Sequence, residues 1–279
     1  MLDTACNCSA GKAAIVNTVS EVMMQPIQFA QSSAAGLRGA SVPGAQNRCA
    51  SCSLHQLCLP TGLCDADMKL LDGIILNRRR VPRDASLYHA GDPFTHLYAV
   101  RFGHFKTHQV SAEGAEQITG FQMAGELLGF DAISTDRHHC YAVALEDSEV
   151  CEIPFAKLEA LFAAVPALLR HFHRMMSQEI TRDQGAMLML GNMRAEQRFA
   201  ALLVNLSSRY KARGYSSTRF QLRMSREDIG NYLGLTIESI SRLLSRFRKQ
   251  GLLNVSNREV ELLDLPALKA LTMDELQVH

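Results

Sequence analysis

The sequence predicts an α+β protein: an antiparallel β domain, then one long helix, then a compact helical domain that ends in a short hairpin. Three observations lead there. Residues 67–155 hold short β-forming runs (97–101, 117–121 and 141–145) separated by turn pairs such as Gly91-Asp92, Glu113-Gly114 and Glu146-Asp147. Many short strands at near-regular spacing suggest a sandwich or barrel. Pro166 then opens a stretch of helix formers that meets no further proline until Pro266. Finally, residues 225–250 carry two capped helical patterns joined at Gly234.

The chain of 279 residues is long enough for two domains. It has no apolar run long enough to span a bilayer, and no basic flank followed by an apolar core at its start. A cytosolic setting follows, where its eight cysteines are thiols or ligands rather than disulfides. The net charge of +1 hides an asymmetry. Residues 194–258 carry 13 Lys/Arg against 4 Asp/Glu, or +9, which leaves −8 for the rest. A basic C-terminal part on an acidic body points to nucleic acid at that end. No nucleophile–base pair, phosphate loop or HExxH motif speaks for an enzyme.

Residues 1–45 are rich in Ala, Ser and Gly without a sustained period and read as a disordered extension, in which Cys6 and Cys8 are unstructured thiols. A cysteine-rich loop (46–65), the β domain (66–165), the long helix (166–194) and the DNA-binding domain (195–279) follow. The helix would be roughly 40 Å long at 1.5 Å per residue. Along it Leu169, His173, Met176, Ile180, Asp183, Met187 and Leu190 step by four and three, which places them on one seam. Met176, Ile180, Asp183, Met187 and Leu190 are the candidate dimer interface, where two copies of Asp183 would repel across a two-fold axis.

In the helical domain, Ser225 caps a first helix with Asp228 three residues on, and Thr236 caps a second that runs to about Gln250. Ile229, Leu233, Leu235, Ile240, Leu243 and Leu244 can pack the pair together. Glu238, Ser239, Ser241 and Arg242 then face outward near the start of the second helix, where a recognition helix meets base edges. Arg can chelate guanine, Glu can accept from cytosine, and Ser can bond a base or a phosphate. Residues 252–263 form a candidate hairpin, which makes the motif winged.

The loop Cys49-x2-Cys52-x5-Cys58 gathers three thiols within ten residues, with Cys64, Cys140 and Cys151 as possible fourth ligands. Four thiolates suit tetrahedral zinc or an iron–sulfur cluster, and spacing alone does not separate the two.

With these pieces in view, the chain resembles the fumarate and nitrate reduction branch of the cyclic-AMP receptor protein (CRP/FNR) superfamily. The resemblance rests on Gln56-Leu-Cys-Leu-Pro60, Glu116-Gln-Ile-Thr-Gly-Phe121, Val150-Cys-Glu-Ile-Pro-Phe155 and Gly230-Asn-Tyr-Leu-Gly-Leu-Thr236 running into Glu238-Ser-Ile-Ser-Arg242. It implies a cyclic-nucleotide-binding-like β-roll, a dimerisation helix and a winged helix-turn-helix. It also implies an oxygen-responsive regulator holding a [4Fe-4S] cluster on Cys49, Cys52, Cys58 and Cys151. Glu238, Ser241 and Arg242 would read a TTGAT-type half-site, with the homodimer on an inverted repeat and RNA polymerase as a further partner near residues 110–116. Cyclic AMP is disfavoured: Gly125-Glu126-Leu127 is present, but Arg137 is followed by His138 rather than serine. The readings set against this one are a relative answering another small ligand and a zinc-stabilised DNA binder.

Overall fold

The computed structural model describes residues 49–75 and 77–273. The readings for residues 1–45, Cys6 and Cys8 among them, lie outside the described residues.

The β domain is two four-stranded antiparallel sheets. One has the order β1 (Asn77–Val81), β8 (Ser148–Pro154), β3 (His96–Phe102), β6 (Leu127–Leu128). The other runs β2 (Ser86–Tyr88), β7 (Tyr141–Ala144), β4 (His104–Val110), β5 (Glu116–Met123). Period-two alternation decides which face each residue takes. On β3, Tyr98 and Val100 enter the core between the sheets, whereas Leu97 and Ala99 join a second core beneath the helices. On β8 the same parity sends Val150 inward, and Cys151 and Ile153 to the helical side.

That second core is closed by α1 (Asp65–Ile74), α2 (Phe155–Ala164) and the first turns of α3 (Pro166–Asn192). The β domain was expected to start at residue 66, but residues 65–74 are helical. Asp65 and Asp67 suit a helix N-terminus, and Met68 and Leu71 fall on one buried face three residues apart. Pro166 sits in the first turn of α3, where its missing N–H costs nothing. Leu168, Phe172 and Met189 are the buried residues of this 27-residue helix; in its middle Arg182 reaches the roll, while Ile180, Asp183 and Met187 are exposed.

The C-terminal part consists of α4 (Ala195–Ala212), α5 (Arg226–Leu233), α6 (Ile237–Lys249) and α7 (Leu265–Met273), with a sheet ordered β10 (Leu253–Ser256), β11 (Glu259–Leu262), β9 (Arg219–Gln221). The predicted hairpin is present, with Asn257 at φ 56° in its turn, and β9 adds a third strand to it. Gly234 closes α5 at φ 62°, the left-handed conformation that lets the chain turn tightly into α6.

The two parts do not keep separate cores. Ile118, Phe121 and Met123 of β5 pack into the same apolar cluster as Phe199, Leu203 and Leu206 of α4.

Candidate thiol centre and nucleic-acid interface

The cysteine loop is a succession of tight backbone turns. Cys52 N–H donates to Cys49 O (3.0 Å), His55 N–H to Cys52 O (3.1 Å) and Cys58 N–H to Leu54 O (3.1 Å). The Thr61 hydroxyl donates to Cys58 O at 2.8 Å, and Cys49 N–H donates to Asp72 Oδ1 on α1 at 2.5 Å. This winding, set over the helical side of β3 and β8, makes Cys49, Cys52, Cys58 and Cys151 line one pocket. Leu59, Ala99 and Ile153 supply apolar walls to it. Register places Cys151 beside Ala99 and Arg78. Cys64 precedes α1, and Cys140 is buried with its sulfur 4.0 Å from the Tyr88 hydroxyl; neither lines the pocket.

The thiols sense one another. Burial pushes the Cys49 thiol up, with Asp72, Cys58 and Cys151 adding to the effect. Burial also lifts Cys58 to about 12, Cys151 and Cys52 pushing the same way against the Leu59 backbone. Cys151 is raised by burial against the opposing charge of Arg78. Crowded, desolvated thiols resist becoming thiolates together, and a multivalent cation reverses that balance. Among the described residues, no three His, Cys, Asp or Glu side chains converge on a position for a single ion.

The candidate nucleic-acid surface is α6. Thr236 caps it by accepting from Ser239 N–H at 3.2 Å. Ile240, Leu243, Leu244 and Phe247 form the buried face, each worth roughly 1.5–3 kcal/mol in apolar burial. Glu238 and Arg242 are exposed and Ser241 is half-buried, 3.4 Å from an Arg226 guanidinium nitrogen. Ser245, Arg246 and Lys249 extend the same surface groove. They were missed in the sequence, although the steps 242, 245, 246, 249 carry the helical period. Arg246 is ion-paired with Glu196 of α4. Arg242→Ala should cost about 1–3 kcal/mol of DNA affinity and relax base preference at one position of each half-site. An equal loss on every sequence, in binding titrations over single-base variants, would instead assign it to phosphate.

The helix seam divides. Ile180, Asp183 and Met187 are exposed, as is Leu188, which the sequence reading left out. Met176 and Leu190 are half-buried against two of the chain's own cores. The residues weighed as a phosphate cassette do not converge. Glu126 is taken by arginines of α3 and α4, Arg137 donates to Gly91 O at 2.8 Å, and the His138 ring stacks 3.7 Å from Tyr88.

Comparison with known proteins agrees with this architecture. Residues 78–164 match the cyclic nucleotide-binding domain family and residues 197–271 the Crp-like helix-turn-helix domain family. The chain is 49% identical over 227 residues to the transcriptional regulatory protein btr of Bordetella pertussis, covering 81% of this chain and 94% of that protein. It is 46% identical to the fumarate and nitrate reduction regulatory protein of Salmonella typhimurium, covering 82% and 91%. FixK2 from Bradyrhizobium japonicum superposes with a TM-score of 0.65 at 29% identity, covering 70% of this chain and 96% of that one. No described helix is long and apolar enough to cross a membrane. With a nucleotide-domain β-roll, a long helix and an exposed reading helix on one chain, and relatives this similar over four-fifths of its length, the protein belongs to the fumarate and nitrate reduction branch of the CRP/FNR superfamily of DNA-binding transcriptional regulators.

Proposed function

We propose that this regulator is cytoplasmic and senses oxygen through a [4Fe-4S] cluster held by Cys49, Cys52, Cys58 and Cys151. Its homodimer then reads an inverted TTGAT-type repeat when oxygen is absent. The observation that carries this reading is the pocket itself: three thiols of one loop and a fourth from β8 line one pocket whose remaining walls are mostly apolar. Four soft thiol donors fit an iron–sulfur cluster, and the resemblance of the loop and of the Cys151 strand to the fumarate and nitrate reduction branch favours it over zinc. When bound, the cluster supplies a joint between loop and sheet that oxygen can remove.

The rest is done by the chain. With the loop seated, Cys58 O accepts from His171 Nε2 of α3 at 3.2 Å, which ties the loop to the helix. That steadies the upper part of α3 and presents Ile180, Met187 and Leu188 to a second copy. Burying them favours the dimer by several kcal/mol, while paired Asp183 carboxylates oppose it. Although exposed, the Asp183 carboxyl is already raised by partial desolvation from its neighbours within one chain, against Arg182. The balance is close enough for the loop to tip. The dimer reads DNA with Glu238, Ser241 and Arg242, and the exposed β4–β5 tip (110–116) is the surface offered to RNA polymerase.

Anaerobic purification followed by a visible spectrum and iron and sulfide analysis tests the cofactor. Brown protein that bleaches in air as dimer becomes monomer is the expected result; a colourless zinc protein of constant assembly would overturn it. Asp183→Ala should remain dimeric and bind DNA in air, as measured by sedimentation. A variant that stays monomeric would remove the seam from the mechanism.

A further inference from the structure

Glu126 sits in the turn between β5 and β6, and groups from β5, α3 and the C-terminal end of α4 meet at its carboxylate. Oε1 accepts from Arg209 Nε (3.1 Å) and Arg213 Nη2 (2.7 Å). Oε2 accepts from Arg209 Nη2 (2.5 Å), Met123 N–H (3.1 Å) and Arg182 Nη1 (3.5 Å). Arg182 belongs to α3, Arg209 to the last turn of α4, and Arg213 is the residue that caps α4. The two α4 arginines also clasp the roll's backbone, Arg209 Nη2 on Phe121 O and Arg213 Nε on Ala124 O, each at 2.6 Å. Glu126 is 17% exposed and Arg213 only 6%. Burial alone would raise the carboxyl, but Arg209, Arg213 and Arg182 outweigh it and lower it to about 2.

The clamp is one corner of a docked face. Phe121 meets Tyr232 of α5 with ring centroids 5.2 Å apart. Lys106 Nζ of β4 donates to Asp228 Oδ1 at 2.7 Å, and Asn231 bonds the backbone of Glu116 and Ile118. All of this holds α4 and α5 against the roll, while Glu238, Arg242, Arg246 and Lys249 of α6 stay exposed. The docked arrangement therefore leaves the DNA-reading face open.

We propose that Glu126 is a positioning residue for DNA recognition: by joining the roll, α3 and α4 it fixes the direction in which each helix-turn-helix leaves the dimer. It makes no base contact itself. A two-fold dimer reads an inverted repeat only if its reading helices stand about one DNA turn apart. The second half-site then binds at high effective concentration, an advantage lost when the domains are loosely held. The clamp is also placed to follow the cysteine loop. Gly125, next to Glu126, has φ +91°, and a Cβ there would fall 2.9 Å from Leu57 Cβ. The loop thus lies close against the turn that carries the clamp, with no room for a side chain at Gly125.

The inference rests on the proposed DNA-bound dimer, and its test separates the two. Full-length protein is prepared anaerobically, and its affinity is measured for three duplexes: an inverted TTGAT repeat, the same repeat with two base pairs inserted at its centre, and a single half-site. Wild type should lose about tenfold or more on insertion. Glu126→Gln, nearly isosteric but uncharged, should bind the intact repeat about tenfold more weakly, bind the single half-site as wild type does, and discriminate less between spacings. Glu126→Asp should recover most of the loss, because it restores the charge. Lys106→Gln, on the rim of the same interface, should give a smaller change of the same kind, and it keeps the test open if Glu126→Gln does not fold. Equal weakening on all three duplexes, unaltered spacing discrimination, or tighter binding by the variants would each overturn the inference. A wild type indifferent to spacing would overturn the dimer reading, and the inference with it.

Discussion

Cys151→Ser, isolated without oxygen, should carry little iron, show no visible chromophore, and bind an inverted-repeat duplex no better than aerated wild type. The reason lies in topology. Cys49, Cys52 and Cys58 belong to one loop, and Cys151 is the thiol that the β8 strand brings to their pocket. Three local thiols have no means of their own to hold that loop on the sheet, and the fourth makes the centre a tie between two parts of the chain. The neighbouring core should survive, because Val150 and Ile153 remain in place on either side. Circular dichroism should therefore be close to that of wild type. Cys64→Ser and Cys140→Ser serve as controls and should keep both iron and colour, since neither thiol lines the pocket. If Cys151→Ser retained its full iron content, the proposed ligand set would have to be abandoned.

Phe247→Ala should destabilise the C-terminal domain by about 3–5 kcal/mol, the usual cost of truncating a fully buried aromatic. Phe247 is 0% exposed on the inner face of α6, and its ring centroid lies 5.6 Å from that of Phe199. It therefore holds the reading helix on α4. Urea unfolding followed by circular dichroism measures the effect, and DNA binding should fall on every sequence alike. Arg242→Ala makes the contrast: the side chain is exposed, so specificity changes and stability does not. A loss under 1 kcal/mol at Phe247 would mean that α6 is anchored elsewhere.

The helix-turn-helix was legible residue by residue because its signals are local. Ser225 accepts from Asp228 N–H at 3.0 Å while Asp228 accepts from Ser225 N–H at 2.9 Å, so the capping box visible in the sequence is the one formed. Gly234 and Thr236 likewise act on their immediate neighbours. The long helix was legible from the absence of proline and from its heptad step. The helix at 65–74 was missed because a ten-residue amphipathic helix with only Met68 and Leu71 buried leaves little periodic signal. Its role in the fold is to cover the second core, which local sequence does not reveal. Leu188 was missed for a related reason: a strict seam of alternating three and four steps is narrower than the face a helix exposes.

What the sequence by itself determined here are the features set by near neighbours: the caps, the turn of the reading helix, the basic C-terminal part and the three-thiol loop. What only the tertiary structure decided are the meetings of distant residues. Strand parity sends Cys151 to the same side as the cysteine loop, and β5 gives its apolar face to the core of α4 rather than to solvent. Glu126 reads in the sequence as part of a ligand cassette, yet three arginines from two helices claim it. The physical reason is the same in each case. Caps and turns are bonds between residues a few positions apart, whereas burial and charge pairing depend on which surfaces the folded chain brings together.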